Sequence, residues 1–117
     1  MQQIARRGCI VLIILVSANG CNMRLMLADS AMYREDYAAA CPIYEQEATR
    51  GNVEAQNNVG TCYYYGLGGY AVDKDAGQRW WIQAARQGDY VARENLFANG
   101  IMWQRLFEVP PSDMPPK

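Results

Sequence analysis

Apolar positions recur along this chain at helical rather than strand spacing. Between Tyr37 and Arg50 they fall at 37, 40, 41, 44 and 48, and Gly51 stands where a helix C-terminus is expected. Pro42 interrupts this segment, so the helix either starts near Cys41 or kinks there. Asn52 is placed to cap a second helix, Val53 to Tyr65, which ends at Gly66. The turn from Gly66 to Ala71 leads to Asp73, which caps a helix from Lys74 to Gln87; Gly77 inside it costs about 1 kcal/mol of helix propensity. A further helix begins at Tyr90 and ends at Asn99-Gly100. Upstream, 22–32 is expected to be a tether with an apolar patch (Met23, Leu25, Met26, Leu27) and the start of a first helix. Asp29 or Ser30 would cap that helix, which runs to about Glu35. Downstream, Ile101 to Phe107 is expected to fold Met102, Trp103, Leu106 and Phe107 over the open end. Residues 108–117, with four prolines in the last nine positions, form an extended tail.

An offset of 37 residues relates two of these segments: Asp36 falls opposite Asp73, Ile43-Tyr44 opposite Trp80-Trp81, Ala48 opposite Ala85 and Gly51 opposite Gly88. A period of this length marks a helical solenoid, in which each hairpin buries its apolar face on its neighbour. Ala92, Asn95 and Leu96 continue the pattern of Ala55, Asn58 and Val59, but Phe97 stands where Gly60 stands in the preceding unit. A ring at that position blocks close approach of another helix, which makes the last helix a terminal cap.

Ala55-Gln56-Asn57-Asn58-Val59-Gly60, then Tyr63, Gly66, Gly68, Asp73, Trp80-Trp81, Ala84-Ala85 and Gly88, resembles a Sel1-like repeat, a relative of the tetratricopeptide hairpins. The resemblance covers one full unit and parts of two flanking ones, from about Tyr33 to Leu96. It implies an all-α fold, a short right-handed α-solenoid of about two and a half antiparallel hairpins and roughly five helices over 33–107. Ala55, Val59, Gly60, Tyr63, Trp80, Ala84 and Ala85 are its packing positions. Relative to the family, Gly69 is inserted in the turn and Gly77 replaces alanine. The resemblance implies recognition of another protein as the way of working, but not which partner is bound.

The N-terminus carries Arg6-Arg7, an apolar run from Cys9 to Val16, and Ser17-Ala18-Asn19-Gly20-Cys21. That order is a signal peptide, over 1–21, and its run is too short to span a bilayer. The arrangement is similar to a bacterial lipoprotein signal with Cys21 as the acylated residue; plain cleavage after Gly20 is the alternative. Asn22, in place of aspartate, resembles the outer-membrane sorting class. The expected location is therefore the envelope, on an outer-membrane lipid anchor facing the periplasm, or soluble in the periplasm. Without the first 21 residues, 9 basic side chains face 12 acidic ones, a net charge of −3, which argues against nucleic acid.

The chain has no histidine, which removes the commonest general base and metal ligand together with any Ser/His or Cys/His pair. None of its three serines begins a Ser-x-x-Lys. No cofactor, metal or catalytic residue is expected. Glu45, Glu47 and Glu54 form no metal or acid/base spacing and are read as a solvated face, as are Arg79 and Arg86.

Cys41 and Cys62 lie at equal distance from the Gly51-Asn52 reversal, on the faces that meet in an antiparallel hairpin. Export permits a disulfide between them; two reduced core cysteines are the alternative. Asn57, Thr61, Tyr64 and Tyr65, with Arg93 and Glu94 on the next helix, occupy positions that the family leaves variable on the helices lining its concave side. Tyrosine enrichment makes them the expected partner-binding surface. The reading is an exported, lipid-anchored recognition protein of the envelope. Its alternatives are an inhibitor or immunity lipoprotein and, further off, a β-lactam- or cell-wall-acting enzyme. So short a stack is also expected to lean on a disulfide, a partner or self-association.

Overall fold

The computed structural model describes residues 23–101. Among these there are helices and turns and no strand: α1 (23–33), α2 (Tyr37–Thr49), α3 (Val53–Tyr65), α4 (Lys74–Arg86) and α5 (Tyr90–Ala98). The signal segment, Cys21, Met102 to Phe107 and the proline-rich tail lie outside the described residues.

Local chemistry sets each boundary. The carboxylate oxygens of Asp36, Asp73 and Asp89 and the amide oxygen of Asn52 accept from the backbone N–H groups of Ala39, Ala76, Ala92 and Ala55, satisfying donors that a helix start leaves open. These caps repeat at the 37-residue offset, as does the positive φ of Gly51 (98°) and Gly88 (97°) that reverses the chain after α2 and α4. The period seen in the sequence is thus a period in backbone geometry.

Three expectations change. The segment read as a tether is helical from residue 23 and built into the core: Ala28 and Ala31 are buried with Ala40, Tyr44, Ala48, Ala55, Val59 and Trp80. Asp29 and Ser30 therefore lie within α1 and cap nothing. Of the two alternatives at Pro42, the late start is overturned: α2 begins at Tyr37 and continues through the proline to Thr49. The carbonyl it leaves without a donor belongs to Ala38, one turn earlier, and both residues lie on the exposed face, where water can take the place of the missing N–H.

Adjacent helices close on small residues. Gly60 of α3 and Gly77 of α4 meet backbone to backbone: a Cβ on Gly77 would lie 2.7 Å from the Gly60 carbonyl oxygen and 2.8 Å from the Tyr64 nitrogen. The propensity that Gly77 costs is therefore spent on interhelical contact that alanine could not make. Ala40, which stands 37 residues before Gly77, is buried in the first hairpin with Ala28. Beyond the glycine seam, Trp81, Tyr64, Ile82, Ala84, Ala85, Ala92, Leu96 and Ile101 form a second apolar cluster that attaches α5.

Candidate protein-binding surface

Helix α3 packs against α2 on one flank and α4 on another, which leaves one stripe of its surface outward. Its members are Glu54, Asn58, Thr61 and Tyr65, spaced four, three and four residues apart, with Tyr65 54% exposed and Asn58 and Thr61 half-buried. Their counterparts at the 37-residue offset on α5 are Val91, Asn95 and Ala98.

Consecutive tyrosines on a helix point about 100° apart, and the structure divides them accordingly. Tyr64 is 7% exposed and lies tilted on Trp81, ring centroids 4.7 Å apart, with the Lys74 ammonium over its ring, 5.5 Å from the centroid. Tyr65 turns outward, edge-on to Tyr64 at 5.0 Å, and its hydroxyl stands 3.4 Å from the Asn99 amide.

Asn57, expected on the contact surface beside Tyr64, is also buried. Its carbonyl accepts from the Trp81 indole N–H at 3.1 Å and from the Thr61 hydroxyl at 3.2 Å, and its side-chain oxygen accepts from the Asn95 amide at 3.0 Å. One residue thereby joins α3 to α4 and α5. The cause is helical phase: Asn57, Gly60 and Tyr64 share the arc of α3 that meets α4.

Arg93 and Glu94 are exposed, but they stand at the offsets of Gln56 and Asn57, on the packing arc rather than the outward stripe. Of the six residues expected to form the contact face, the structure brings Thr61 and Tyr65 together. Glu54 and Asn58 join them, and the four-three-four spacing counted back from Tyr65 is the signal that finds them.

The floor beside this stripe is a tyrosine hydroxyl. Tyr44, buried in α2, donates to the Asp29 carboxylate of α1 at 2.6 Å, and the Asn58 side chain reaches the same hydroxyl. Burial first, then the Asp29 carboxylate, pushes the pKa of Tyr44 well above the ordinary phenol range, making it a weaker acid. A second carboxylate, Glu45, accepts from Tyr63 (2.5 Å) and Tyr70 (2.6 Å), and so fastens the 66–73 turn to α2. Burial and this hydrogen bond push Tyr63 up to about 12 and move Tyr70 in the same direction. Glu47 is buried and paired with Arg50 at 2.8 Å and Arg24 at 3.8 Å. The reading of Glu45 and Glu47 as a solvated face is therefore corrected: they are ties between elements.

Cys41 and Cys62 are joined by a disulfide, Cα to Cα 6.0 Å, linking α2 to α3 with both residues buried. Of the packing positions, Ala55, Val59, Gly60, Trp80, Ala84 and Ala85 are buried and Tyr63 is half-buried. Trp81, which the expected packing positions leave out in favour of Trp80, is the more deeply buried of the pair. No grouping of cysteine, aspartate and glutamate able to hold a metal ion occurs among the described residues.

Residues 53–89, the span of α3, its turn and α4, match the family model of the Sel1 repeat. Over this stretch the chain is similar to a Sel1 repeat. The match begins at the first residue of α3 and ends at the Asp89 cap of α5, so one repeat is one hairpin of the observed fold. Sel1 repeats generally mediate protein–protein interaction. No curated protein and no solved structure matches the chain.

Proposed function

We propose that this protein is exported, anchored to the outer membrane through an acylated Cys21, and binds another protein of the bacterial envelope along the Glu54, Asn58, Thr61 and Tyr65 stripe of α3. Its work is recognition rather than catalysis. The observation that carries the reading is the outward turn of Tyr65 from a rigid seat: the ring stands edge-on to Tyr64 and Trp81, themselves held in the core, and over half of its surface faces outward. An aromatic ring fixed in this way loses little conformational freedom when covered, which is the character of an interface anchor. Around it, the partly covered Thr61 and Asn58 and the carboxylate of Glu54 provide polar contacts suited to a rim.

In-cell photo-crosslinking tests the reading. A photoreactive residue at position 65 is expected to capture one discrete envelope protein that the same residue at Arg79, exposed on α4, does not capture. Equal capture from both positions, or none from position 65, would remove the stripe as the working face. Release of the Cys21→Ala chain from the membrane fraction is expected alongside; continued membrane association contradicts the anchor.

A further inference from the structure

The first helix is apolar on two sides. Its inner side, with Ala28 and Ala31 buried and Leu25 and Met32 partly so, packs into the fold. On its outer side Met23, Met26 and Leu27 are 64%, 70% and 59% exposed, and Ser30 continues the same arc. The end helix of a solenoid ordinarily presents a polar outer face. Here the charges are drawn away from that arc. Arg24 hydrogen-bonds the Gln46 side chain and pairs with Glu47 at 3.8 Å, and Asp29 accepts from Tyr44. The next charged residues, Arg34, Glu35 and Asp36, lie in the turn at the far end of the helix, where the Arg34 guanidinium donates to the Ser30 hydroxyl at 3.1 Å, so the uncharged part of the arc is Met23, Met26 and Leu27.

The chain leading into α1 limits what can cover this arc. Cys21 precedes Met23 by two residues, which at full extension span roughly 7 Å. An acyl group on Cys21 would hold the first turn of α1 within that distance of the headgroups, with the uncharged arc nearest the attachment point and the charged turn about 15 Å further along the helix. We propose that the outer arc of α1, Met23, Met26 and Leu27, lies in the interface of a phospholipid bilayer and acts as a second, non-covalent membrane contact beside the lipid anchor. The inference rests on the anchoring reading above. An apolar helix face seated in the headgroup region is a recognised non-covalent membrane contact. The same contact would fix the solenoid by its N-terminal end and leave the Tyr65 stripe of α3 open to a partner.

The test uses the full chain expressed in a bacterial envelope, purified with its native N-terminus and reconstituted into phosphatidylethanolamine/phosphatidylglycerol vesicles doped with a lipid carrying a photoreactive diazirine in its acyl chain. After illumination, lipid adducts are mapped by peptide mass spectrometry. Adducts are expected on the peptide containing Met26 and Leu27, with few on α4, and their yield is expected to fall roughly tenfold in a Met26→Glu/Leu27→Glu chain. Both side chains point outward, so that variant keeps its fold, and circular dichroism checks it. A vesicle-bound chain with no adducts on α1 overturns the proposal and leaves the anchor standing. If intact mass shows Cys21 without an acyl group, the anchoring reading has failed. The α1 arc is then still required to give more adducts on added vesicles than the double-glutamate variant, and equal yields overturn it. Self-association in solution abolished by the same variant assigns the arc to a second copy, and likewise overturns the proposal.

Discussion

The two hairpins α1–α2 and α3–α4 solve the same packing problem with different side chains. Each second helix is capped by an aspartate (Asp36, Asp73) and buries a small residue one turn in (Ala40, Gly77). Each then buries an aromatic residue (Tyr44, Trp81) and a second small residue (Ala48, Ala85). In the second hairpin the Gly60 and Gly77 backbones touch, and Trp81 fills the space beyond them with its indole N–H on the Asn57 carbonyl. In the first, alanines take the places of contact, Tyr44 is the smaller ring, and its hydroxyl reaches Asp29. The first hairpin is then tied to the second by the Cys41–Cys62 disulfide and by Glu45 holding Tyr63 and Tyr70. A repeated backbone thus tolerates exchange between glycine contact beside a large ring and alanine contact beside a smaller one.

Removing the ring breaks the comparison most severely. Trp81→Ala is expected to cost about 3–5 kcal/mol by opening a cavity and leaving the Asn57 carbonyl short of a donor, read as a fall in the urea midpoint. The Cys41→Ala/Cys62→Ala chain is expected to lose about 3 kcal/mol, since the disulfide closes a loop of 21 residues. An unchanged midpoint would show that the α2–α3 seam does not depend on it. Exchanging the seam residues sharpens the contrast. Gly77→Ala gains propensity but drives a methyl group into the α3 backbone, for a net loss of about 1–3 kcal/mol. Ala40→Gly loses about 1 kcal/mol of propensity without any such clash. Equal effects would show that the two seams are equally wide.

The smallest effect is alkaline. Tyr63 ionises at about 12 in the folded chain, because burial and the Glu45 hydrogen bond disfavour its phenolate, against about 10 when unfolded. The stability from this shift is fully present below pH about 10 and is lost as pH rises through about 12. Tyr63→Phe is expected to make stability less dependent on pH across that window, seen by following unfolding against phenolate absorbance.

How far these features are legible in the sequence depends on what each one requires. Caps and the 37-residue offset need only local chemistry, so Asp36, Asn52, Asp73 and Asp89 are readable as letters. The role of Gly77 is not, because its reason lies on another helix: propensity marks it as a weakness until the Gly60 carbonyl is placed against it. Tyr64 and Tyr65 are adjacent and identical in type, and only the direction of the α4 contact decides which is buried. Asn57 goes with Tyr64 for the same reason. Helix α1 hid behind its own composition, since apolar residues on both of its sides leave no amphipathic contrast to read. Pro42 drew attention as a break, yet the helix passes through it because Ala38 faces solvent.

The outward stripe of α3 is the proposed binding face, and affinity for the captured partner tests that most directly. A Thr61→Ala/Tyr65→Ala chain is expected to bind roughly tenfold or more weakly than the parent, with its thermal midpoint unchanged and with Arg79→Ala binding as the parent does. Undiminished binding by the stripe variant, at the same thermal midpoint, would contradict it.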